Sequence, residues 1–355
     1  MANLILRTPA DLLAAVPYLL GFHPTDSLVA VGLRRCRVVF QARADLPGPR
    51  LPVTDFAAHV AGVVAQQRVD TALLVGYGAA ERVTPAVEAT RSALALLDVE
   101  VPEMLRAEHG RYWSYVCDRP DCCPPDGVPY DIAASAVAAE ATLAGWVALP
   151  DRHALVAQLA PVDGAARAAM SVATRRAGRR LERLLDPGAH RAATDGTASA
   201  TARSRPNRRR LAKVLAAGED AVATGLDRYR DGGRLDDDEA AWLTVLLTHR
   251  PVRDHAWSLI GSATAVTHRA LWLDVVRRAQ PHLVAAPATL LAFAAWQGGD
   301  GALASVALER ALGVDPDYRL ARLLDEALRH GLPPDVLTGS RPAGQPAQVI
   351  RSGRV

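Results

Sequence analysis

Three thiols fall within seven residues of one another: Cys117, Cys122 and Cys123, in the run Tyr112-Trp113-Ser114-Tyr115-Val116-Cys117-Asp118-Arg119-Pro120-Asp121-Cys122-Cys123-Pro124-Pro125. Thiolates at this density can hold Zn²⁺, which takes four ligands in a tetrahedron, or they can exchange a disulfide. Paired C-x-x-C knuckles are missing, and His109 lies at the far end of the preceding strand, about 20 Å away at about 3.3 Å per residue. A fourth ligand would have to be Cys36 or His23, brought in by the fold. Joining Cys117 to Cys122 or Cys123 asks only for a four-residue turn. The bland alternative is three reduced thiols packing a proline-rich turn, since free cysteine behaves largely as a small buried hydrophobe. The expectation is therefore no resident cofactor, with zinc on Cys117, Cys122 and Cys123 as the alternative.

His23, Asp26 and Ser27 offer an imidazole, a carboxylate and a hydroxyl within five residues. Triad members converge from separate elements, so three this close in sequence do not align nucleophile, base and orienting acid. A simpler reading has Asp26 or Thr25 bonding the turn backbone beside His23; the other is a pocket wall at a strand end, where α/β sheets place ligands. Gly76-Tyr77-Gly78 precedes a helix but lacks a third glycine or a Gly-Lys-Ser/Thr ending, and Glu81 would repel phosphate. His249, His255, His268 and His282 form no H-E-x-x-H pair. Residues 175–210 carry eleven Arg against Glu182, Asp186 and Asp195, an excess of +8 that could neutralise phosphates. No aromatic side chain lies between Arg175 and Arg210 to stack on bases, so a solvated helix end and linker is favoured over nucleic acid.

The elements that position these groups follow from periodicity. Thr8-Pro9-Ala10-Asp11 is an N-cap, a proline at the first helical position and an acid in the first turn, with Leu12, Val16, Leu19 and Leu20 on one face. Pro17 should kink or end that helix. Ser27 to Leu33 reads as a strand covered on both faces, and Val38 to Leu46 alternates as its hairpin partner. A helix capped by Thr54, a strand Thr71–Tyr77, a helix from Thr84-Pro85 and two strands around Glu108-His109-Gly110-Arg111 follow. Tyr130 to Trp146 reads as an Ala-rich helix. This order predicts a mixed sheet with packed helices, an α/β layered domain over 1–150.

Beyond Asp151 strand signals vanish. Connecting helices over 151–187, an Arg-rich flexible linker over 188–210, an all-α helical-repeat-like domain over 211–335 and a disordered tail over 336–355 are expected. Within 285–318, Leu291, Ala292, Gly299-Asp300, Ala304, Leu308, Ala311 and Asp315-Pro316, with Trp296, resemble one tetratricopeptide repeat, although Ala288 stands where that pattern is bulky. Trp242, Trp257, Trp272 and Trp296 suit one large residue per helix. Such a domain implies a protein or peptide partner, or a plain scaffold.

Composition closes off other classes. Half the 355 residues are hydrophobic but only 5% aromatic, and Ala supplies 68 of them, which favours helices packed on small side chains. A net charge of +3 does not by itself imply nucleic acid. No apolar run approaches the roughly 18 residues of a membrane span, and four cysteines make no disulfide scaffold, so a soluble cytoplasmic protein with no membrane partner is expected.

Two passages carry a family resemblance: Arg7-Thr8-Pro9-Ala10-Asp11-Leu12-Leu13 running on through Val16-Pro17-Tyr18-Leu19-Leu20-Gly21-Phe22-His23-Pro24-Thr25-Asp26-Ser27-Leu28-Val29, and Tyr112-Trp113-Ser114-Tyr115 with the cysteines after it. With the repeat-like helices, they resemble the actinobacterial family known as domain of unknown function 4192. The resemblance implies an actinobacterial, cytoplasmic protein and carries over no catalytic residue. The functional expectation is a binding or regulatory protein whose α/β pocket is lined by His23, Asp26, Ser27, Trp113, Cys117, Cys122 and Cys123. The alternative is an enzyme using the three thiols as nucleophile, redox centre or metal site, and the third reading is nucleic-acid binding through 175–210.

Overall fold

A computed structural model describes residues 5–185, 208–337 and 351–352. The chain divides into two compact units, one made of the described residues up to Leu155 with those from Glu326 on, the other of Val156–Asp325. Most of the expected linker and tail lies outside the described residues; Arg208–Arg210 are helical.

In the first unit the order is β1 (Ile5–Leu6), α1 (Pro9–Leu20), β2 (Ser27–Arg34), β3 (Arg37–Asp45), α2 (Val53–Gln66), β4 (Thr71–Tyr77), α3 (Ala80–Ala95), β5 (Glu100–Glu108), β6 (Arg111–Ser114), β7 (Val128–Pro129) and α4 (Ala136–Leu143). A two-residue strand, β8 (Arg351–Ser352), inserts beside β1 and β3, so strands do recur beyond Asp151. The sheet is mixed, in the order β1-β8-β3-β2-β4-β5-β6-β7. β2 is antiparallel to both neighbours, and β4-α3-β5 is the parallel crossover. The α/β class is as the element order predicts.

Alternation sorts each strand's side chains onto two faces. Leu28, Ala30, Ala72, Leu74 and Met104 join Phe56, Val60 and Val64 of α2 and Val83, Val87 and Leu94 of α3 in one core. Gly76 permits that packing, because a Cβ there would stand 2.2 Å from Val83 Cγ1. Ser27, Val29 and Val31 take the opposite face, toward α1, where Gln41 Nε2 donates to the Leu19 carbonyl at 3.2 Å.

Several boundaries differ from expectation. The Thr8 capping box forms with Asp11, but α1 runs through Pro17 to Leu20 and ends at Gly21. α2 begins at Val53 with no side-chain cap, so Thr54 is helical and not the cap. α3 begins four residues before Thr84 and holds Pro85 inside. The helix expected over Tyr130–Trp146 shrinks to Ala136–Leu143, because Ser135 Oγ caps it and Gly145, at φ 83°, ends it.

The second unit is helical among its described residues: α5 (Arg152–Gln158, shared with the first unit's end), α6 (Gly164–Leu185), α7 (Arg208–Arg230), α8 (Asp237–Leu246), α9 (Arg250–Ser258), α10 (Ala265–Arg278), α11 (Ala285–Gln297), α12 (Gly301–Val314) and the start of α13 (Arg319–Arg329). Every residue of α11 is buried, as an all-round apolar helix requires. Trp257 stacks on Phe293 with centroids 3.6 Å apart. No helix among the described residues is long and apolar enough to cross a membrane.

Candidate functional site

The β5–β6 hairpin turns at His109 and Gly110, both at positive φ, and β6 is only four residues long. The chain then leaves the sheet over 115–127 and returns as β7 beside β6. Side chains of β6 tie this loop down. Arg111 Nε donates to the Asp126 carbonyl at 2.7 Å, Arg111 Nη2 to Gly127 at 3.0 Å, and Trp113 Nε1 to Pro125 at 2.9 Å. Gly127 sits at φ 77° with the Trp113 ring where a Cβ would be, 2.6 Å away, so glycine is required there on two counts. The Arg106 guanidinium also lies over the Trp113 ring, 3.6 Å from its centroid.

Inside the loop the Arg119 carbonyl accepts from both the Cys122 and Cys123 amides, at 3.1 and 2.7 Å. That turn brings Cys122 Sγ to 3.3 Å from Cys117 Sγ and 3.5 Å from Cys123 Sγ, and all three sulfurs lie within 4.8 Å of one another. Cys122 is exposed, its two partners half-exposed. Hydrogen bonds from the Cys123 thiol, the Arg119 backbone and the Cys122 thiol pull Cys117 down to about 7. Burial, then the bonds Cys123 gives to Cys117 and Cys122, push Cys123 up to about 12. One sulfur is thus a thiolate near neutrality and another holds its proton.

Groups that sequence reasoning missed border the thiols. The Arg119 guanidinium hydrogen-bonds Cys117. Ser114 Oγ donates to Glu103 Oε1 at 3.3 Å and accepts from the Val116 amide at 3.2 Å, which ties the loop's first residues to a carboxyl that burial raises. The Tyr112 phenol is raised by burial and then by Cys123, Cys122 and Glu103 beside it. Only strand register brings Glu103 there, through the Leu105–Ser114 pairing, so no local motif could have marked it.

The expected pocket residues gather in two places. Trp113, Cys117, Cys122 and Cys123 share the loop. Asp26, at φ 43°, accepts from Arg82 at 2.7 Å, His23 is half-buried with its imidazole lowered by burial, and Ser27 is fully buried in the sheet. Ser27 pairs with Tyr77, Tyr77 with Ala107 and Ala107 with Tyr112, so Ser27 and Tyr112 stand three strands apart on one rung, about 14 Å. Among the described residues no hydrogen bond or ion pair joins His23, Asp26 or Ser27 to the loop, and neither Cys36 nor His23 enters the thiol cluster. His109 is 92% exposed at the hairpin tip. Of the Arg-rich stretch, Arg176 meets Asp238 at 3.2 Å and Arg180 lies 4.1 Å over Trp242.

A family model described as domain of unknown function (DUF4192) matches residues 9–335. No curated protein and no solved structure matches the chain.

Proposed function

The chain belongs to the DUF4192 family, and from that premise, which supplies no reaction, we propose that it is a binding protein whose α/β unit captures one thiophilic metal ion, zinc(II) foremost, on Cys117, Cys122 and Cys123. The observation that carries this reading is the mutual approach of the three sulfurs, all within 4.8 Å. Around one Zn²⁺ at about 2.3 Å per sulfur, tetrahedral geometry sets sulfurs about 3.8 Å apart. The 3.3 and 3.5 Å separations both fall a few tenths of an ångström short of that value, so small side-chain rotations suffice. Three thiolates leave the fourth position to solvent, a small ligand or a partner's side chain, the arrangement of zinc sites that exchange a ligand. A thiol already ionised near neutrality lowers the proton cost of loading. A reducing, cytoplasmic setting and a partner protein on the helical unit belong to the same reading.

The test is metal analysis of the full chain purified without chelator, followed by titration with Cd²⁺ and detection of thiolate-to-metal charge-transfer absorption. One ion per chain, lost in Cys122→Ser, supports the proposal. Absence of charge-transfer absorption from fully reduced protein rejects it.

The 3.3 Å Cys117–Cys122 separation favours a second reading, a thiol–disulfide couple. The Cys117 thiolate attacks a low-molecular-weight disulfide and releases one thiol; Cys122, deprotonated, then displaces the second thiol and closes the protein disulfide. A mass loss of two hydrogens under that treatment, absent in Cys122→Ser, distinguishes this couple from inert thiols.

A further inference from the structure

A second cluster, independent of the thiols, lies on the α1 face of the sheet. Ser27 Oγ, Arg43 Nε and Tyr77 OH are buried atoms with no hydrogen-bond partner among the described residues. They come from three adjacent strands. Ser27 is opposite Asp45 on β3 and opposite Tyr77 on β4, and Arg43 is two residues along β3 from Asp45, so all three side chains project to one face. Ser27 is wholly buried and Tyr77 nearly so. Buried polar groups are ordinarily paired, and three unpaired ones on one face of adjacent strands, Ser27 and Tyr77 on one rung and Arg43 two residues along from it, are what a binding site needs before its ligand arrives.

The three atoms share one capacity, although the two hydroxyls can also accept. Each can donate: two hydroxyls and the Nε–H of a guanidinium. The Arg43 Nη2 group is already committed, to the Thr25 carbonyl at 3.3 Å and to Asp45 Oδ1 at 2.5 Å, while its ring-facing side rests 5.7 Å from the Phe22 centroid. Nε is a buried donor still without a partner on a guanidinium that those contacts hold in place. Asp45, 80% exposed, meets the guanidinium at Nη2, so the buried Nε lies away from that contact. The rung continues through the small side chain of Ala107 to Tyr112, whose ring meets Tyr130 edge-on at 6.2 Å. The rung also lies at the carboxyl ends of the parallel pair β4–β5, the end of an α/β sheet where ligands bind.

We propose that Ser27, Arg43 and Tyr77 form a binding site for a small oxyanion group, a carboxylate or a phosphate.

The test titrates the full chain with acetate and, separately, with inorganic phosphate, against chloride at constant ionic strength, following amide chemical shifts by NMR. A saturable shift of Ser27, Arg43 and Tyr77 resonances is expected, and whichever anion saturates at lower concentration names the group. Tyr77→Phe and Ser27→Ala should each weaken that affinity by about tenfold without lowering the melting temperature, since each removes a hydroxyl with no partner in the unliganded protein. Cys122→Ser should leave the anion affinity unchanged, which separates this site from the metal proposal. Shifts no different from chloride overturn the site. So does a lowered melting temperature in Tyr77→Phe with anion binding intact, which would mean the hydroxyl serves only an internal water.

Discussion

Cys117 Sγ lies 3.3 Å from Cys122 Sγ although five positions separate them in sequence. The Arg119 carbonyl enforces this by accepting from the amides of Cys122 and Cys123 at once. The thiols therefore ionise as a set, and their reactivity should show it. Alkylation of Cys117 by iodoacetamide should accelerate as pH rises through about 7, where its thiolate forms, while Cys123, held up to about 12, stays slow to high pH. Peptide mapping of labelled protein from pH 5 to 9 checks this; equal rates at the two positions would contradict the arrangement.

Metal affinity should carry the same signature with the opposite demand. Loading a three-thiolate site releases the Cys123 proton, so Cd²⁺ affinity should fall steadily as pH drops from 8 to 6. Cys117→Ser should cost on the order of 100-fold in affinity or more, above the loss typical of outer-shell changes. Competition titration with a chromophoric chelator measures both.

Gly127→Ala should damage the loop from its base. The new methyl would meet the Trp113 ring at 2.6 Å and sit at φ 77°, so a loss of about 2 kcal/mol or more is expected in the first unit. Trp113 would swing off Arg106, and its fluorescence should shift with the melting temperature. Unchanged fluorescence in a destabilised variant would rule out this coupling.

His268 makes the second unit acid-sensitive. Burial holds its imidazole down to about 4, and Trp272 Nε1 donates to its Nδ1 at 3.1 Å, which requires that nitrogen unprotonated. The unfolded chain binds a proton near 6.5 and the folded one does not until about 4. Stability is therefore whole above 6.5 and declines as pH falls toward 4, by about 3 kcal/mol across the window. Urea midpoints measured between pH 7 and 4 should show this slope, and His268→Gln should flatten it.

Asp274 anchors the other polar network of that unit, accepting from Tyr229 OH, Arg234 Nη2 and Arg278 Nη2. Asp274→Ala should cost about 3–5 kcal/mol, because Arg278, 11% exposed, would be left without its main counter-charge. Chemical denaturation of the variant measures the loss; a change below about 1 kcal/mol would mean that the charges have rearranged.

Periodicity made most elements of the first unit legible. Thr71–Tyr77 was readable to the residue, because a short apolar run bounded by polar residues has one sensible register. Helix starts were less so: α3 begins on Ala80 without a side-chain cap, and Thr84-Pro85, a good start signal, lies inside it. Of the thiol site, sequence gave the three cysteines and Trp113, whose spacing is local. Glu103 and the Ser27–Tyr77–Tyr112 rung were invisible, since pairing between strands far apart in sequence decides which side chains share a face.

The bonds by which Arg111 and Trp113 hold the far end of the thiol loop span at most sixteen positions. Local contacts close faster than distant ones. The meander β5–β6–β7 can thus assemble on the nascent chain soon after Pro129 is made, while the helical half is still being translated, and an ion could be seated by then. A ribosome-stalled fragment ending shortly after α4 should bind Cd²⁺ if assembly follows that order.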